Sequence, residues 1–378
     1  MKKVTSIGLL GLILLLAVRC EKSEDALNIN TNSEILKEME AKGIPSVVAC
    51  VVKDNQIVWE SALGFADVST STPTNRESLY TIMSISKLFL ATTVMQLWEQ
   101  DRIDLDTDIN QYLPFEVRNP NFPDKKITAY MLLTHTSGLA WPVDKDGIPD
   151  FHHFYYINEE PPLLIDWLPE YILPNGTRYR PTIWKNYAPG EQELYSNIGT
   201  SLLALIVEQI SGMDYRDYCA VNLLEPLEMY DSGFWLAELD EGQLTTPYTD
   251  DNRPMGYYTC RHYPVGFLSS SIEDFAHFMI AMLNEGVYNG KRILTPESID
   301  KMLAVQNPST GTALLWAHCL GDCVGHLGGG TGFSTWAEWH FNKKSGLFIF
   351  SNKVNGSIAP KGRIYELVRN EANRYRSK

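Results

Sequence analysis

A serine and a lysine three residues apart are the first feature of this chain that could carry chemistry. Ser84-Ile85-Ser86-Lys87 stands at the start of an apolar stretch with helical spacing, 85–99. On a helix, the hydroxyl and the amine share one face, about 5–6 Å apart at Cβ. The helix N-terminus favours negative charge on the serine oxygen. Burial of the lysine would favour a neutral amine that accepts the serine proton. The pattern predicts a serine nucleophile activated by an amine.

A tyrosine and an asparagine two residues apart form a second pattern. Tyr195-Ser196-Asn197 directly precedes another apolar helix, expected over 198–210. The phenol could relay a proton if nearby positive charge lowers its pKa, and the amide could hold a substrate carbonyl. Both patterns also occur elsewhere. Ser298-Ile299-Asp300-Lys301 lies in a polar helical stretch and is interpreted as surface decoration, and Tyr156-Ile157-Asn158 lies in an aromatic segment.

A glycine-rich segment, His326-Leu327-Gly328-Gly329, precedes a strand expected over 333–341. Glycines there let a substrate lie close to an edge strand. The backbone N–H of Gly329 could then form an oxyanion hole together with that of Ser84.

In this order, the three motifs resemble the serine beta-lactamase and penicillin-binding-protein-like hydrolases. The closest branch contains class C beta-lactamases, D-alanyl-D-alanine carboxypeptidases and related esterases. Further local matches are LLTHTSGL at 132–139, EPLEM at 225–229 and VGFLSS at 265–270. The matches extend from about Gly43 to Asn352, which is most of the chain.

The resemblance implies a role for each matching residue. Ser84 would be the acylated nucleophile, and Lys87 and Tyr195 would share the general-base work. Asn197 would hydrogen-bond Lys87 and the substrate. His326 stands where beta-lactamases usually have lysine, so strong beta-lactamase activity is not expected. We interpret His135-Thr136-Ser137 as a structural helix end capped by Gly138.

Three functions are compatible with these motifs. The first is hydrolysis of a small ester, amide or D-amino-acid peptide through an acyl-Ser84 intermediate. The second is transfer of the acyl group to an alcohol or amine acceptor. The third is a non-catalytic, penicillin-binding-like sensor or binding module, whose mark would be an incomplete catalytic set.

Neither a nucleotide cofactor nor nucleic acid is an expected ligand. The chain has no glycine-rich phosphate-binding motif. Its formal net charge of −14 repels phosphate backbones.

A zinc site is a weaker alternative. His318, Cys319, Cys323 and His326 are ligand types that lie close together. We favour the interpretation in which Cys319 and Cys323 pair as a disulfide in a hairpin and His326 belongs to the serine site. No metal and no cofactor are therefore predicted.

The elements that must position the motifs predict an α+β fold of the α/β sandwich type. β-Branched runs at 46–53 and 56–63 flank Asp54-Asn55, and alternating strands are expected at 333–341 and 346–351. An antiparallel sheet would thus combine both ends of the chain, flanked by helices, with a mostly helical region inserted between them. The predicted division is a sheet domain of residues 43–115 and 262–378 around an inserted region of 116–261. A basic helix is expected from about 359 to 375.

The segment 141–187 is unusually aromatic, with ten Phe, Trp or Tyr residues among 47 positions. Two interpretations stay open: a long insertion that covers its own small core, or an aromatic wall beside a binding cleft.

The N-terminus predicts export. Lys2 and Lys3 precede an apolar run, 7–18, that is too short to span a bilayer and reads as part of a signal peptide. Cys20 follows this run and resembles the lipidation site of bacterial lipoproteins. Residues 1–20 would be the signal, and residues 21–42 a tether and first helix. The expected location is the bacterial cell envelope, with a lipid anchor in the membrane and the protein facing the periplasm or the cell surface.

Overall fold

The computed structural model describes residues 30–141, 154–157, 159–319 and 321–376. The predicted signal peptide, Cys20 and most of the tether lie outside the described residues. No helix in the described part of the chain has the length and apolar character needed to cross a bilayer.

The helices are α1 (30–42), α2 (Ser86–Glu99), α3 (Ala129–Leu133), α4 (Leu164–Ile172), α5 (Asn197–Ser211), α6 (Tyr215–Cys219), α7 (Ile272–Leu283), α8 (Pro296–Leu303) and α9 (Arg363–Arg376). The strands are β1 (Ser46–Lys53), β2 (Gln56–Asp67), β3 (Thr72–Pro73), β4 (Tyr80–Thr81), β5 (Phe154–Tyr156), β6 (Tyr258–Cys260), β7 (Ser269–Ser270), β8 (Val287–Tyr288), β9 (Lys291–Arg292), β10 (Ala317–His318), β11 (Val324–Gly330), β12 (Phe333–His340) and β13 (Ser345–Ser351).

The main sheet is antiparallel and joins the two ends of the chain. Its strand order is β10-β11-β12-β13-β1-β2-β3, so β1 lies directly beside β13, with Val47 opposite Ser351. Three short two-stranded ribbons, β4-β7, β5-β6 and β8-β9, stand apart from it. The predicted α+β fold is confirmed. The predicted boundaries of the inserted region stay a prediction.

The first hairpin forms where the sequence predicts it. Asp54 and Asn55 adopt positive φ values of 48° and 64°, which a two-residue turn needs and which these residue types tolerate. The strand β1 is buried along almost its whole length, because helices cover both faces of the sheet. Val48 and Cys50 belong to the large core shared with α7, whereas Val47 and Ala49 pack with α9.

Two helices begin later than their sequence periodicity predicts. The helix α2 starts at Ser86, after a tight 3₁₀ turn over Met83–Ile85, so Ser84 lies just before the helix. The helix α9 starts at Arg363 rather than near residue 359, because Lys361 has a φ of 74°, which no helix accommodates. The helix α5 agrees with prediction and ends at Gly212, which takes the left-handed conformation.

The aromatic segment contributes both to a core and to a cavity. Trp167, Tyr171 and Trp184 are buried in the main core. Trp141 and Phe154 line a cavity beside Ser84. Each of the two interpretations therefore describes part of the segment. Residues 142–153 and 158 of this segment lie outside the described residues.

Candidate active site

The turn that precedes α2 places Ser84 between an amine and a phenol. Lys87 Nζ lies 3.1 Å from Ser84 Oγ, and the Tyr195 hydroxyl donates a hydrogen bond to the same oxygen at 3.0 Å. These three side chains come from the start of α2 and from the segment before α5, which are more than 100 residues apart in sequence. The structure thus brings together the predicted nucleophile and both predicted proton carriers.

Lys87 is fully buried and has no carboxylate partner among its described hydrogen bonds and ion pairs. Its other hydrogen bond goes to the carbonyl oxygen of Val265 at 2.6 Å. Burial holds the pKa of Lys87 well below its ordinary value. A neutral amine has a lone pair that can accept the proton of Ser84, so the position and the electrostatics of Lys87 both suit a general base.

Tyr195 departs from the electrostatic expectation. The sequence argument required nearby positive charge to lower its pKa, whereas desolvation raises the pKa above its ordinary value. The amine of Lys87 lies 5.0 Å from the centre of the Tyr195 ring, but its own burial favours its neutral form. In the resting site, Tyr195 is therefore a protonated donor to Ser84, and Lys87 is the group placed to accept the serine proton.

Asn197 lies at the first position of α5 and faces the same cavity as Ser84. The expected hydrogen bond between Asn197 and Lys87 does not form, and Asn197 Oδ1 is a buried oxygen without a hydrogen-bond partner. The nearest acceptors to Lys87 Nζ are instead Ser84 and Val265. Leaving a buried amide oxygen unpaired costs free energy. A substrate N–H or O–H in the cavity could remove this cost by donating a hydrogen bond to Asn197 Oδ1.

His326 lies on β11 beside Tyr195, with 6.4 Å between the ring centres. Burial lowers the pKa of His326 to about 4. The imidazole is therefore neutral at pH 7. Its Nδ1 lies 2.6 Å from the carbonyl oxygen of Leu327 and donates to it, which leaves Nε2 as an acceptor.

Gly329 lines the cavity beside Ser84, whereas Gly328 packs against the turn that holds Ser84. A Cβ atom at Gly329 would meet nothing within 4 Å, and Gly329 lines the cavity beside Ser84, as an oxyanion-hole donor should. Gly328 does not line it, contrary to the prediction. A Cβ at Gly328 would lie 2.6 Å from the carbonyl oxygen of Ile82, so this glycine lets β11 approach the turn that holds Ser84.

Two cavities lie beside the candidate catalytic side chains, one lined by Ser84 and the other by Tyr195. The first, which we call the serine cavity, has a volume of about 80 Å³ and is lined by Met83, Ser84, Trp141, Phe154, Asn197, Tyr258, Cys260, His262, Val265, Gly266, Phe267, Gly329, Gly330 and Thr331. The second, the tyrosine cavity, has a volume of about 360 Å³ and is lined by His135, Glu193, Tyr195, Thr310, Thr312, Leu315, Trp316, Ala317, His318, Cys319, Gly325, His326, Leu327 and Trp336. Neither cavity has a lysine or arginine among its described lining residues.

His135 has a larger part in the site than the sequence argument gave it. Its ring lies 4.4 Å from the ring of Tyr195, and its Nδ1 accepts a hydrogen bond from the backbone N–H of Ser196 at 3.3 Å. The helix α3 ends at Leu133, so Gly138 is not its cap, and His135 has a φ of 56°. Burial lowers the pKa of His135 to about 3, so its ring is neutral. His135 thus packs against the phenol and fixes the backbone beside it.

Met83 is a second residue that sequence reasoning missed. It directly precedes Ser84 and has a φ of 52°. This left-handed conformation is unfavourable for most residues other than glycine and asparagine. Its side chain lines the serine cavity. Such strain tends to occur at functional sites, where the surrounding structure enforces it. A left-handed residue cannot be recognised from the letter Met, so the sequence held no signal for it.

The second copies of the motifs do not join this site. Ser298 is buried and donates to Glu99 Oε2 at 2.7 Å, so the interpretation as surface decoration is wrong for the serine. Lys301 is exposed and lies 4.9 Å from the centre of the Trp98 ring. Tyr156 is on the exposed ribbon strand β5, and Asn158 lies outside the described residues.

The four residues proposed as zinc ligands do not converge on one point. Cys319 and Cys323 form the predicted disulfide, and His318 Nε2 instead contacts the carbonyl oxygen of Leu303 at 2.7 Å. Among the described residues, the group close enough to hold a metal is Cys319, Cys323 and Glu338. Two of its three members are joined by the disulfide and offer no thiolate.

Comparisons with known proteins agree with this geometry. The chain is 24% identical over 367 residues to the putative penicillin-binding protein PbpX of Bacillus subtilis (strain 168), covering 93% of this chain and 82% of the relative. It is 26% identical over 351 residues to the mitochondrial serine beta-lactamase-like protein LACTB of Homo sapiens, covering 72% of this chain and 61% of LACTB. A beta-lactamase/D-alanine carboxypeptidase from Pseudomonas syringae has the same fold, with a TM-score of 0.70 and 17% identity over 92% of this chain and 99% of that one.

The family match covers most of the chain. The family described as Beta-lactamase matches residues 32–369, which include Ser84, Lys87, Tyr195, Asn197 and His326. Together with the antiparallel sheet and the convergence of serine, amine and phenol, this match identifies the chain as a member of the beta-lactamase family of serine hydrolases.

Proposed function

We propose that this protein hydrolyses a small ester or amide through an acyl-Ser84 intermediate. The observation that carries the proposal is the position of Ser84 Oγ, 3.1 Å from Lys87 Nζ and 3.0 Å from the Tyr195 hydroxyl. An alcohol so placed can lose its proton to an amine as it attacks a carbonyl carbon.

The proposed reaction has two steps, acylation of Ser84 and hydrolysis of the acyl-enzyme. Ser84 Oγ bonds to the acyl carbon, its proton moves to Lys87 Nζ, and the backbone N–H groups of Ser84 and Gly329 stabilise the negative carbonyl oxygen. The proton then passes through Tyr195 to the leaving oxygen or nitrogen, whose bond to the acyl carbon breaks. Water attacks the acyl-enzyme in the same way, which releases the acid and restores Ser84.

A strong beta-lactamase activity is not part of this proposal. Penicillins carry a carboxylate, and a cation would be expected to bind it. His326 is neutral at pH 7, because its pKa is about 4. Among the described residues, no lysine or arginine lines either cavity. Esters and amides without a carboxylate fit this environment better.

Intact-mass spectrometry with 4-nitrophenyl acetate tests the proposal. We expect the protein to gain the mass of one acetyl group, located by peptide mapping on the peptide that contains Ser84. Ser84→Ala should abolish this gain, and the matched change Ser298→Ala should leave it intact. A label that persists in Ser84→Ala would place the nucleophile elsewhere and overturn the proposal.

Acyl transfer uses the same intermediate and is the second candidate. The tyrosine cavity, about 360 Å³ in volume, offers room for an alcohol or amine beside the proton relay. Adding a primary alcohol to the labelled protein separates the two reactions, because transfer releases a new ester whereas hydrolysis releases only the acid.

We also propose that the protein is exported and anchored by a lipid on Cys20. The apolar run at 7–18 and the cysteine after it support this location. Cys20→Ala should move the protein from the membrane fraction to the soluble fraction of the cell envelope. An unchanged distribution would rule out the anchor.

A further inference from the structure

The tyrosine cavity lies beside the proposed proton relay, where the leaving part of a substrate would be bound. The Tyr195 hydroxyl must reach the leaving oxygen or nitrogen in order to protonate it. Tyr195 lines the tyrosine cavity and not the serine cavity. Ser84, Asn197 and Gly329, which would hold the acyl carbon and its oxygen, line the serine cavity. The rest of the leaving group therefore extends from Tyr195 into the tyrosine cavity.

The walls of the tyrosine cavity are mainly apolar. Its lining residues include Leu327 on β11, with 49% of its surface exposed, and the buried Trp316 and Trp336. Such walls favour a leaving group with an alkyl or aryl body.

The charge of this cavity is negative. Glu193 is the one acidic residue among its described lining residues, and no lysine or arginine accompanies it. Two of the lining histidines, His135 and His326, have pKa values of about 3 and about 4 and are neutral at pH 7. A carboxylate in the leaving group would therefore meet a like charge and no compensating cation, whereas an ammonium group would be attracted.

The carboxylate of Glu193 is held in place by its neighbours. Its Oε2 accepts hydrogen bonds from Asn307 Nδ2 and Thr310 Oγ1, both at 2.8 Å. Its Oε1 accepts one from Thr312 Oγ1 at 2.6 Å. All three partners are neutral, so they orient the carboxylate without cancelling its charge. One lone pair of Oε1 has no donor among these contacts and can face a ligand.

We propose that Glu193 makes the tyrosine cavity a site for leaving groups, or acyl acceptors, that combine an apolar body with a cationic amine and lack a carboxylate. This inference rests on the proposed acyl-Ser84 chemistry and names its substrate class. The substrates would be esters or amides of amino alcohols, aminophenols or diamines of this shape. In the reverse direction of the same step, the cavity would admit such compounds as acceptors.

Three acetate esters that share an acyl group and a phenyl ring test the inference. They carry a trimethylammonium group, a tert-butyl group or a carboxylate at the 3-position of the ring. The first two substituents have nearly the same shape and differ in charge. The kcat/KM of each ester is divided by its rate constant for hydroxide-catalysed hydrolysis, which corrects for leaving-group reactivity. We expect the trimethylammonium ester to exceed the tert-butyl ester by roughly two- to fivefold, and the carboxylate ester to fall below it by a similar factor.

Glu193→Gln and the matched variant Glu191→Gln assign the effect. Both remove one negative charge and both residues line a neighbouring cavity, but of the two Glu193 alone also lines the tyrosine cavity. In Glu193→Gln the ratio of trimethylammonium to tert-butyl ester should fall towards one, and in Glu191→Gln it should stay at the wild-type value. A purely structural role of Glu193 would lower the rates of all three esters together and leave the ratio unchanged, which would overturn the proposal.

The wild-type protein provides a second test that does not depend on a variant folding. Raising the ionic strength should bring the same ratio towards one, because salt screens the attraction. Equal corrected rates for the three esters would overturn the inference and leave the acyl-enzyme proposal standing. Failure of all three esters to acylate Ser84 would instead overturn the proposed function itself.

Discussion

The chain carries the same serine–lysine spacing twice, and the two copies have opposite surroundings. Ser84 contacts an amine and a phenol beside a cavity, and the amine of Lys87 is fully buried. Ser298 instead donates to the carboxylate of Glu99, and Lys301 stays exposed. A serine that donates to a carboxylate keeps its proton, and an exposed lysine keeps its charge. In the proposed mechanism, the spacing supplies the geometry for catalysis, and burial of the amine supplies the reactivity.

The largest expected effect on activity comes from removing the Ser84 hydroxyl, and removing the Ser298 hydroxyl is the matched comparison. Ser84→Ala should lower kcat/KM for a chromogenic acetate ester by roughly 10³-fold or more, because the covalent route is lost. Ser298→Ala should keep that activity and lower the free energy of unfolding by about 1–2 kcal/mol, through loss of a buried hydrogen bond to a carboxylate. Steady-state kinetics and urea denaturation measure the two quantities. A folded Ser298→Ala protein that is as inactive as Ser84→Ala would contradict the comparison.

Replacing the two lysines tests the role of burial. Lys87→Met should lower kcat/KM by roughly 10³-fold, since no other described base contacts Ser84, whereas Lys301→Met should retain activity. In the wild type, activity should fall as the pH decreases through the pKa of Lys87, because the protonated amine cannot accept the serine proton. Burial lowers that pKa, so this decline should lie well below the ordinary lysine range. A decline centred in the ordinary lysine range would show that the amine is not desolvated in solution.

Tyr195→Phe should have the next largest effect, a loss of roughly 10²-fold in both acylation and deacylation, because the proton relay to the leaving group disappears. Tyr156→Phe is the matched control, since Tyr156 is exposed on β5. Pre-steady-state kinetics separate the two steps. Wild-type rates in Tyr195→Phe would leave Lys87 as the sole proton carrier.

The smallest expected effect concerns His135, which packs against Tyr195 and has no counterpart among the described contacts around Ser298. His135→Leu should lower kcat by roughly tenfold with little change in KM, because the phenol loses its lateral support. His135→Asn keeps a hydrogen-bond acceptor and tolerates the positive φ, so its kcat should lie between that of wild type and that of His135→Leu. Equal kcat values for all three proteins would limit His135 to a structural role.

Much of the fold followed from local signals in the sequence. The Asp54-Asn55 turn and the alternating strands near the C-terminus are set by residues close to one another, so they could be predicted. The residues Ser84, Lys87 and Tyr195 could be chosen because three motifs occur in one order. Neither inference needed knowledge of distant contacts.

Apart from the backbone conformation of Met83, the features that sequence reasoning missed depend on packing between distant segments. His135 meets Tyr195 across 60 positions, and Gly328 meets Ile82 across more than 240. The raised pKa of Tyr195 is set by desolvation in the folded cleft, which composition does not reveal. The carboxylate of Glu193 is held by Asn307, Thr310 and Thr312, from a loop that lies far away in the sequence.

The pairing of β1 with β13 has a consequence for how the chain is made. Val47 finds its partner Ser351 only after about 300 further residues have left the ribosome. Until then the segment SVVACVVK, among the most apolar in the described sheet, has at most one of its two neighbouring strands. Such late pairing slows folding and leaves an unpaired edge strand that can associate with other chains. The chain should therefore depend on chaperones that shield its first hairpin until β13 is available for pairing.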